Sequence, residues 1–232
     1  MNFNKYTIGA RLFPSMISAV PFFVLGHYYL TPKIGDFVAI VSSYTWIGDL
    51  TISAAAVYLL MQVSRWISKP LFEDRIFDRG NQFPTTSFLL HTDTYYSSNY
   101  THQIHERIII DFDIILHSKQ DEQRNLQDAR KRIKEAISLV RNMVSDSGLV
   151  LQHNIEYGFA RNLAGGSVIA FITSAVSAFL FYFVEPIDTA FTVSVIISML
   201  YGMYLLLSKR IMKYLGANYA DVLISEYMNA RK

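Results

Sequence analysis

Cysteine is absent from this chain, which excludes disulfides and thiolate metal sites and leaves the compartment open. Charge is scarce as well. Only 17% of the residues are Asp, Glu, Lys or Arg, against 51% hydrophobic residues and a mean hydropathy of +0.22, a balance more apolar than that of an ordinary soluble domain. Catalytic signatures are missing too. No Gly-rich phosphate loop leads into a helix with a lysine, and no GxSxG occurs. THQIHE places His102 and His105 at i, i+3, but without an accompanying acid motif this is weak as a metal site, and exposed helix histidines are commoner. These absences disfavour an enzyme and imply no cofactor.

What is present is apolar length. A hydrocarbon core of ~30 Å needs about 20 helical residues, and four segments approach or exceed that: Leu12 to Leu30, Phe37 to Val63, Ser167 to Val184 and Thr189 to Leu207. Pro14 and Pro21 interrupt the first, and no small-residue cleavage site follows it, so it reads as an uncleaved membrane segment. The short turns TPKIGD and EPID make two hydrophobic hairpins. The expected fold is an all-α membrane protein with four spans: an N-terminal hairpin (1–63), a mainly helical cytoplasmic region (64–166), a C-terminal hairpin (167–207) and an amphipathic helix (208–232). Twenty of the 21 Lys and Arg residues lie outside the two turns, only Lys33 within them. The positive-inside rule then puts both termini and the central region in the cytoplasm, in a cell inner membrane.

Intramembrane polar residues are costly and default to functional candidates. Asp49 has no basic neighbour in sequence. If the first hairpin turns near Lys33, Asp49 lies opposite Ser18, at the depth of Thr173, Ser174 and Tyr201. There it either faces a bundle interior or water path, as a gating group, or sits at the outer interface of a tilted helix. His27, near an outer end, suits an ordinary interfacial residue. Gly166, Ala170, Ser174 and Ala178 recur every four residues, as do Ser194, Ser198 and Gly202. Such small-residue stripes let helix backbones approach closely, within one chain or between self-associating copies.

In the central region Pro70, Gly80 and Pro84 predict extended or turn structure. Ile104, Ile108 and Phe112 predict a helix from about Ser98, although IIIDFDIIL also alternates like a strand. Ser118 with Asp121 resembles a capping box, opening a helix with the stripe Leu126, Ala129, Ile133, Ala136, Val140 and Met143 that ends at Gly148. Its basic residues suit nucleic acid, anionic lipid or water. Thirteen acids balance thirteen bases over the region, so direct nucleic-acid binding is not favoured. NYT at Asn99 carries a glycosylation pattern on the cytoplasmic side. Ile211, Leu215, Tyr219 and Val222 predict the last helix.

The runs RIFDRGNQFPTTSFLLHTD and LVLQHNIEYGFARNLAGG resemble the transmembrane effectors paired with retron reverse transcriptases in prokaryotic antiviral defence. The resemblance covers most of Arg75 to Gly166 and the hairpin layout. It implies a toxin-like effector held silent by a reverse transcriptase with its RNA and DNA, and released on phage infection to disrupt the inner membrane in abortive infection. Arg75, Arg79, Asn154, Glu156 and Arg161 are the candidate partner or transmission residues, and HNIEYGFARN is expected as the transmission point where the third span enters lipid at Gly165 and Gly166, its alternative role being a simple helix cap and interface anchor. A constitutive channel or transporter subunit, or a membrane anchor for a soluble complex, are the alternatives.

Overall fold

The computed structural model describes residues 4–30 and 46–230, with side chains described from Ala54 onward in the second helix. No strand occurs among the described residues. Among the described residues, eight helices carry the fold: α1 (Lys5–Leu30), α2 (Trp46–Ser68), α3 (Pro84–Ser87), α4 (Ser98–Phe112), α5 (Lys119–Arg124), α6 (Leu126–Met143), α7 (Gly148–Phe183) and α8 (Asp188–Asn229). Three of them, α1, α7 and α8, are long and apolar enough to cross a membrane. The second expected span falls partly on residues 31–45, outside the described residues. The chain forms two compact units: Met1–Phe72 with Gly158–Arg210, and Glu73–Tyr157 with Ile211–Lys232.

The first unit has an apolar exterior. Phe23, Leu59, Trp66 and Leu206 are between 61% and 85% exposed, far beyond what large apolar side chains tolerate against water but ordinary against lipid. Its interior is rich in small and polar residues: Ser15, Ser18, Ser64, Ser68, Ser167, Ser174 and Ser194 are buried, beside the larger Met61 and Phe181. α1 and α7 lie side by side in the same direction. Tyr6 and Ala10 meet Gly158, Ser18 meets Gly166, and Tyr28 and Tyr29 meet Phe181.

The second unit has a conventional core. Ile104 and Ile108 of α4 are buried as their spacing predicts, together with Thr101 and His105. The strand alternative fails because α4 runs through Phe112 and stops at Asp113, whose left-handed backbone (φ 54°) turns the chain while its amide still bonds Ile109. Phe77, Phe83 and Tyr157 pack ring on ring, with centroids 4.8 and 5.2 Å apart along that series, and Gly216 of α8 gives Phe77 and Phe83 room to approach.

Several expectations are corrected. Helix continues past Pro70 through a wide π-turn, Lys69–Glu73, and on to Ile76. The wider turn accommodates a residue without an N–H donor. The break comes later, at Asp78, Arg79 and Gly80, all with positive φ. The helix expected from Ser118 is two helices, because Asn125 leaves helical geometry and its side chain caps α6 at the Asp128 amide. Ala129, Ile133, Ala136, Ile137 and Val140 are buried, whereas Leu126 and Met143 at the ends are exposed. Gly148 does not end that helix but begins α7, after Ser147 has capped it at Val150. HNIEYGFARN is therefore helix interior, not a cap. The fourth span and the last helix are one helix, α8. Its buried stripe is Met212, Tyr219, Leu223 and Tyr227, with Ile211, Leu215 and Val222 half-buried beside it.

Candidate functional site

The first unit's polar interior is organised by two prolines. In an α-helix the amide of residue i bonds the carbonyl of i−4, and proline has no amide to give. α1 passes through a π-turn at Ile8–Leu12, where the Phe13 amide bonds the Ile8 carbonyl five residues back; in the α register that follows, Pro14 offers the Ala10 carbonyl no amide and Pro21 offers that of Ile17 none. Each is met by a side chain from a different helix. Asn162 Nδ2 of α7 donates to the Ala10 oxygen at 2.6 Å, and Tyr201 Oη of α8 donates to the Ile17 oxygen at 2.6 Å. In lipid an unmatched carbonyl costs several kcal/mol, so these two donors let α1 keep both prolines.

Serines complete the bend. Ser15 and Ser18 donate to the carbonyls of Arg11 and Pro14 at 2.9 and 2.8 Å, a back-bonding that bends helices. Between the prolines the helix is broken at Ala19, whose amide is shared by the Ser15 and Met16 carbonyls.

Beside this bend three helices cross at Gly165 and Gly166. A Cβ on Gly165 would overlap the Ser64 carbonyl oxygen and come within 2.8 Å of Ser68 Cβ, and one on Gly166 would overlap Ser18 Oγ and lie 3.2 Å from Ser64 Oγ. A side chain at Gly165 would meet backbone, and one at Gly166 would meet the Ser18 hydroxyl that is held on the Pro14 carbonyl. The hydroxyls of Ser64, Ser167 and Ser194 and the Asn162 Oδ1 are buried without a hydrogen-bond partner among the described residues. The seam thus has spare polar capacity inside an apolar exterior, which is unusual for a unit built only to pack.

Tyr201 and Ser18 are brought together here, Tyr201 gripping the residue before Ser18. Thr173 and Ser174 are not: Ser18 sits at Gly166, eight residues before Ser174, a separation of about 12 Å along a helix. Their hydrogen bonds are local, with Ser174 Oγ donating to Ala170 at 2.8 Å and the Thr173 carbonyl accepting from Ser177. Asp49 lies in α2 fifteen residues before Ser64, roughly 22 Å by helical rise. Its side chain is outside the described residues; of α2, Ser64 is the residue that meets Ser18 at Gly166. In the first stripe Gly166, Ala170 and Ser174 are buried and Ala178 half-buried; in the second Ser194 is buried and Ser198 and Gly202 half-buried. Gly202 faces the Phe171 ring of the same chain, 3.3 Å from the position of a Cβ.

The candidate transmission residues are dispersed. Arg75 and Arg79 are exposed, and the Arg79 carbonyl accepts from Lys134 Nζ at 3.2 Å. Glu156 accepts from Gln152 one turn away on α7, while Asn154 and Arg161 are half-buried on that helix. Arg130 and Arg132 donate to the carbonyls of Asn81 and Ile115, so much of the basic face of α6 is engaged within the unit.

The second unit holds a separate polar node. Glu122 is buried and accepts from the amides of His91 and Thr92 and from Thr92 Oγ1 at 2.7 to 3.0 Å. Beside it His105 Nε2 donates to the Leu89 carbonyl at 2.7 Å, and its ring meets that of His91 edge to face. Burial holds the His105 pKa below its ordinary value, against the opposing pull of the Leu89 hydrogen bond. His102, by contrast, is exposed and faces Glu106 at 3.2 Å. The two histidines do not share a ligand, and no group of metal-ligating residues occurs among the described residues.

No protein-family model matches the chain, and neither a curated protein nor a solved structure gives a significant match.

Proposed function

We propose that this chain is a non-enzymatic effector of a retron-type antiviral defence system. In this reading it is a four-span inner-membrane protein with cytoplasmic termini, kept inactive by a reverse transcriptase with its RNA and DNA, and it permeabilises the membrane when released. The observation that carries the reading is the pair of side-chain clasps on α1. A helix bent at two prolines and closed by Asn162 and Tyr201 has a ready alternative, in which water takes over the two carbonyls and the polar seam opens. Interhelical hydrogen bonds in membranes are worth ~0.6 to 2 kcal/mol each. Two of them therefore match the coupling of about 1 to 3 kcal/mol that a regulatory partner ordinarily supplies.

The test is expression without the partner, with membrane potential followed by a voltage-sensitive dye. Depolarisation and growth arrest are expected, with Tyr201→Phe reaching arrest at lower expression because one clasp is gone. Normal potential during strong membrane-localised expression sinks the proposal and favours an anchor. Steady conductance that the partner leaves unchanged favours a constitutive channel.

A further inference from the structure

The second unit carries an aromatic-walled carboxylate that its own core does not use. Asp221 projects from α8 at the surface, and Tyr96 Oη donates to its Oδ1 at 2.9 Å. Tyr96 stands edge to face between two neighbours, with Tyr95 at 4.9 Å and Tyr100 at 5.2 Å between centroids. Tyr95 lies flat on Phe88, 3.7 Å away with planes 3° apart, yet remains 49% exposed. The stack holds that ring rigid while leaving its outer region open. No described Lys or Arg forms an ion pair with Asp221, although the chain pairs other surface acids, including Asp121 and Asp128, with arginines.

We propose that Tyr95, Tyr96, Tyr100 and Asp221 form a docking site for an arginine side chain of a protein partner. A guanidinium has N–H groups for the carboxylate and a flat, weakly hydrated face for the tyrosine rings, a combination that a lysine ammonium matches less well. Pre-stacked tyrosines lose little side-chain freedom on binding, which is why such rings anchor interfaces. The carboxylate's field reaches all three phenols: burial first, and Asp221 after it, raises the pKa of each, most for Tyr96. A metal ion is a poor fit, as no cluster of ligating acids or histidines surrounds Asp221 among the described residues. The site is independent of the membrane-effector reading and stands or falls separately.

The probe is acetyl-Gly-Arg-Gly-amide, titrated into the full-length protein in detergent micelles carrying 3-fluorotyrosine at position 95 or 100. Its citrulline analogue, isosteric and uncharged, is the control. Saturable fluorine shifts are expected, with arginine binding about tenfold or more tighter than citrulline, a gap of ~1.4 kcal/mol. Asp221→Asn, which keeps an acceptor for Tyr96 and so preserves the fold, should remove that preference. Equal binding of the two peptides, an indifferent Asp221→Asn variant, or no shift at all overturns the proposal. So do shifts that depend on protein concentration alone, which would assign the patch to a second copy of this chain.

Discussion

If Asn162 exists to serve the carbonyl that Pro14 vacates, its value should depend on Pro14. Replacing Asn162 with Leu keeps the number and branching of heavy atoms, removes the donor and leaves the Ala10 oxygen buried and unmatched, which by itself costs about 1 to 3 kcal/mol. Losing Oδ1, which has no partner among the described residues, offsets part of that. Pro14→Ala restores an amide at that position, so Ala10 recovers an intrahelical donor and Asn162 becomes dispensable there. A double-mutant cycle cancels the Oδ1 contribution and isolates the dependence. From the range for interhelical hydrogen bonds in membranes, the coupling should be roughly 1 kcal/mol, with Asn162→Leu costing less in the Pro14→Ala background. Reversible unfolding in mixed micelles resolves a difference of that size. Tyr201→Phe supplies the internal control: its acceptor, Ile17, is freed by Pro21, so its cost should be the same with and without the Pro14→Ala substitution. If Asn162→Leu costs equally in both backgrounds, the hydrogen bond is incidental and the clasp reasoning is wrong.

At the helix crossing, Gly165→Ala meets the Ser64 backbone and should destabilise by about 1 to 3 kcal/mol through overpacking. Gly202→Ala, opposed only by the movable Phe171 ring, should be tolerated, and thermal unfolding in detergent separates the two. In the second unit Glu122→Ala leaves two amides and a hydroxyl unmatched and should cost about 3 kcal/mol or more, Glu122→Gln less, since it keeps an acceptor. Hydrogen exchange at His91 and Thr92 would read this out, and unchanged protection in the Ala variant would refute it. His105 has its pKa lowered by folding, so the unfolded chain binds the extra proton first. Its contribution is full above the ordinary value of 6.5 and is lost as pH falls below it toward the folded value. His105→Gln, which keeps a donor for Leu89, should flatten that acid-side loss in a pH series of unfolding midpoints. Topology is checked by cysteines at Ile187 and Gln127: the first should react with an impermeant thiol reagent outside the cell and the second should not.

Composition and periodicity determined the class of this protein. A chain this apolar, with apolar runs of membrane length and no strand-forming alternation outside one short stretch, gives long helices, and α1, α7 and α8 follow from it. The buried Ile104 and Ile108, and most of the α6 stripe, were equally legible, because helical spacing alone assigns a face. Helix ends were not. Pro70 failed to stop a helix, Asn125 divided one, and Gly165 with Gly166 did not break α7, since each outcome depends on what packs against that residue. The prolines show the division most clearly. Their positions in α1 fix, by covalent chemistry, that the carbonyls of Ala10 and Ile17 lose their donors. That Asn162 and Tyr201, 152 and 184 residues further along, are the groups that answer them is decided by which helices lie alongside α1 and in which direction. That register is a sum of contacts among Gly165, Gly166, Ser18 and Ser64, with Tyr6 at Gly158 and Tyr28 and Tyr29 at Phe181, and no local stretch of sequence contains it.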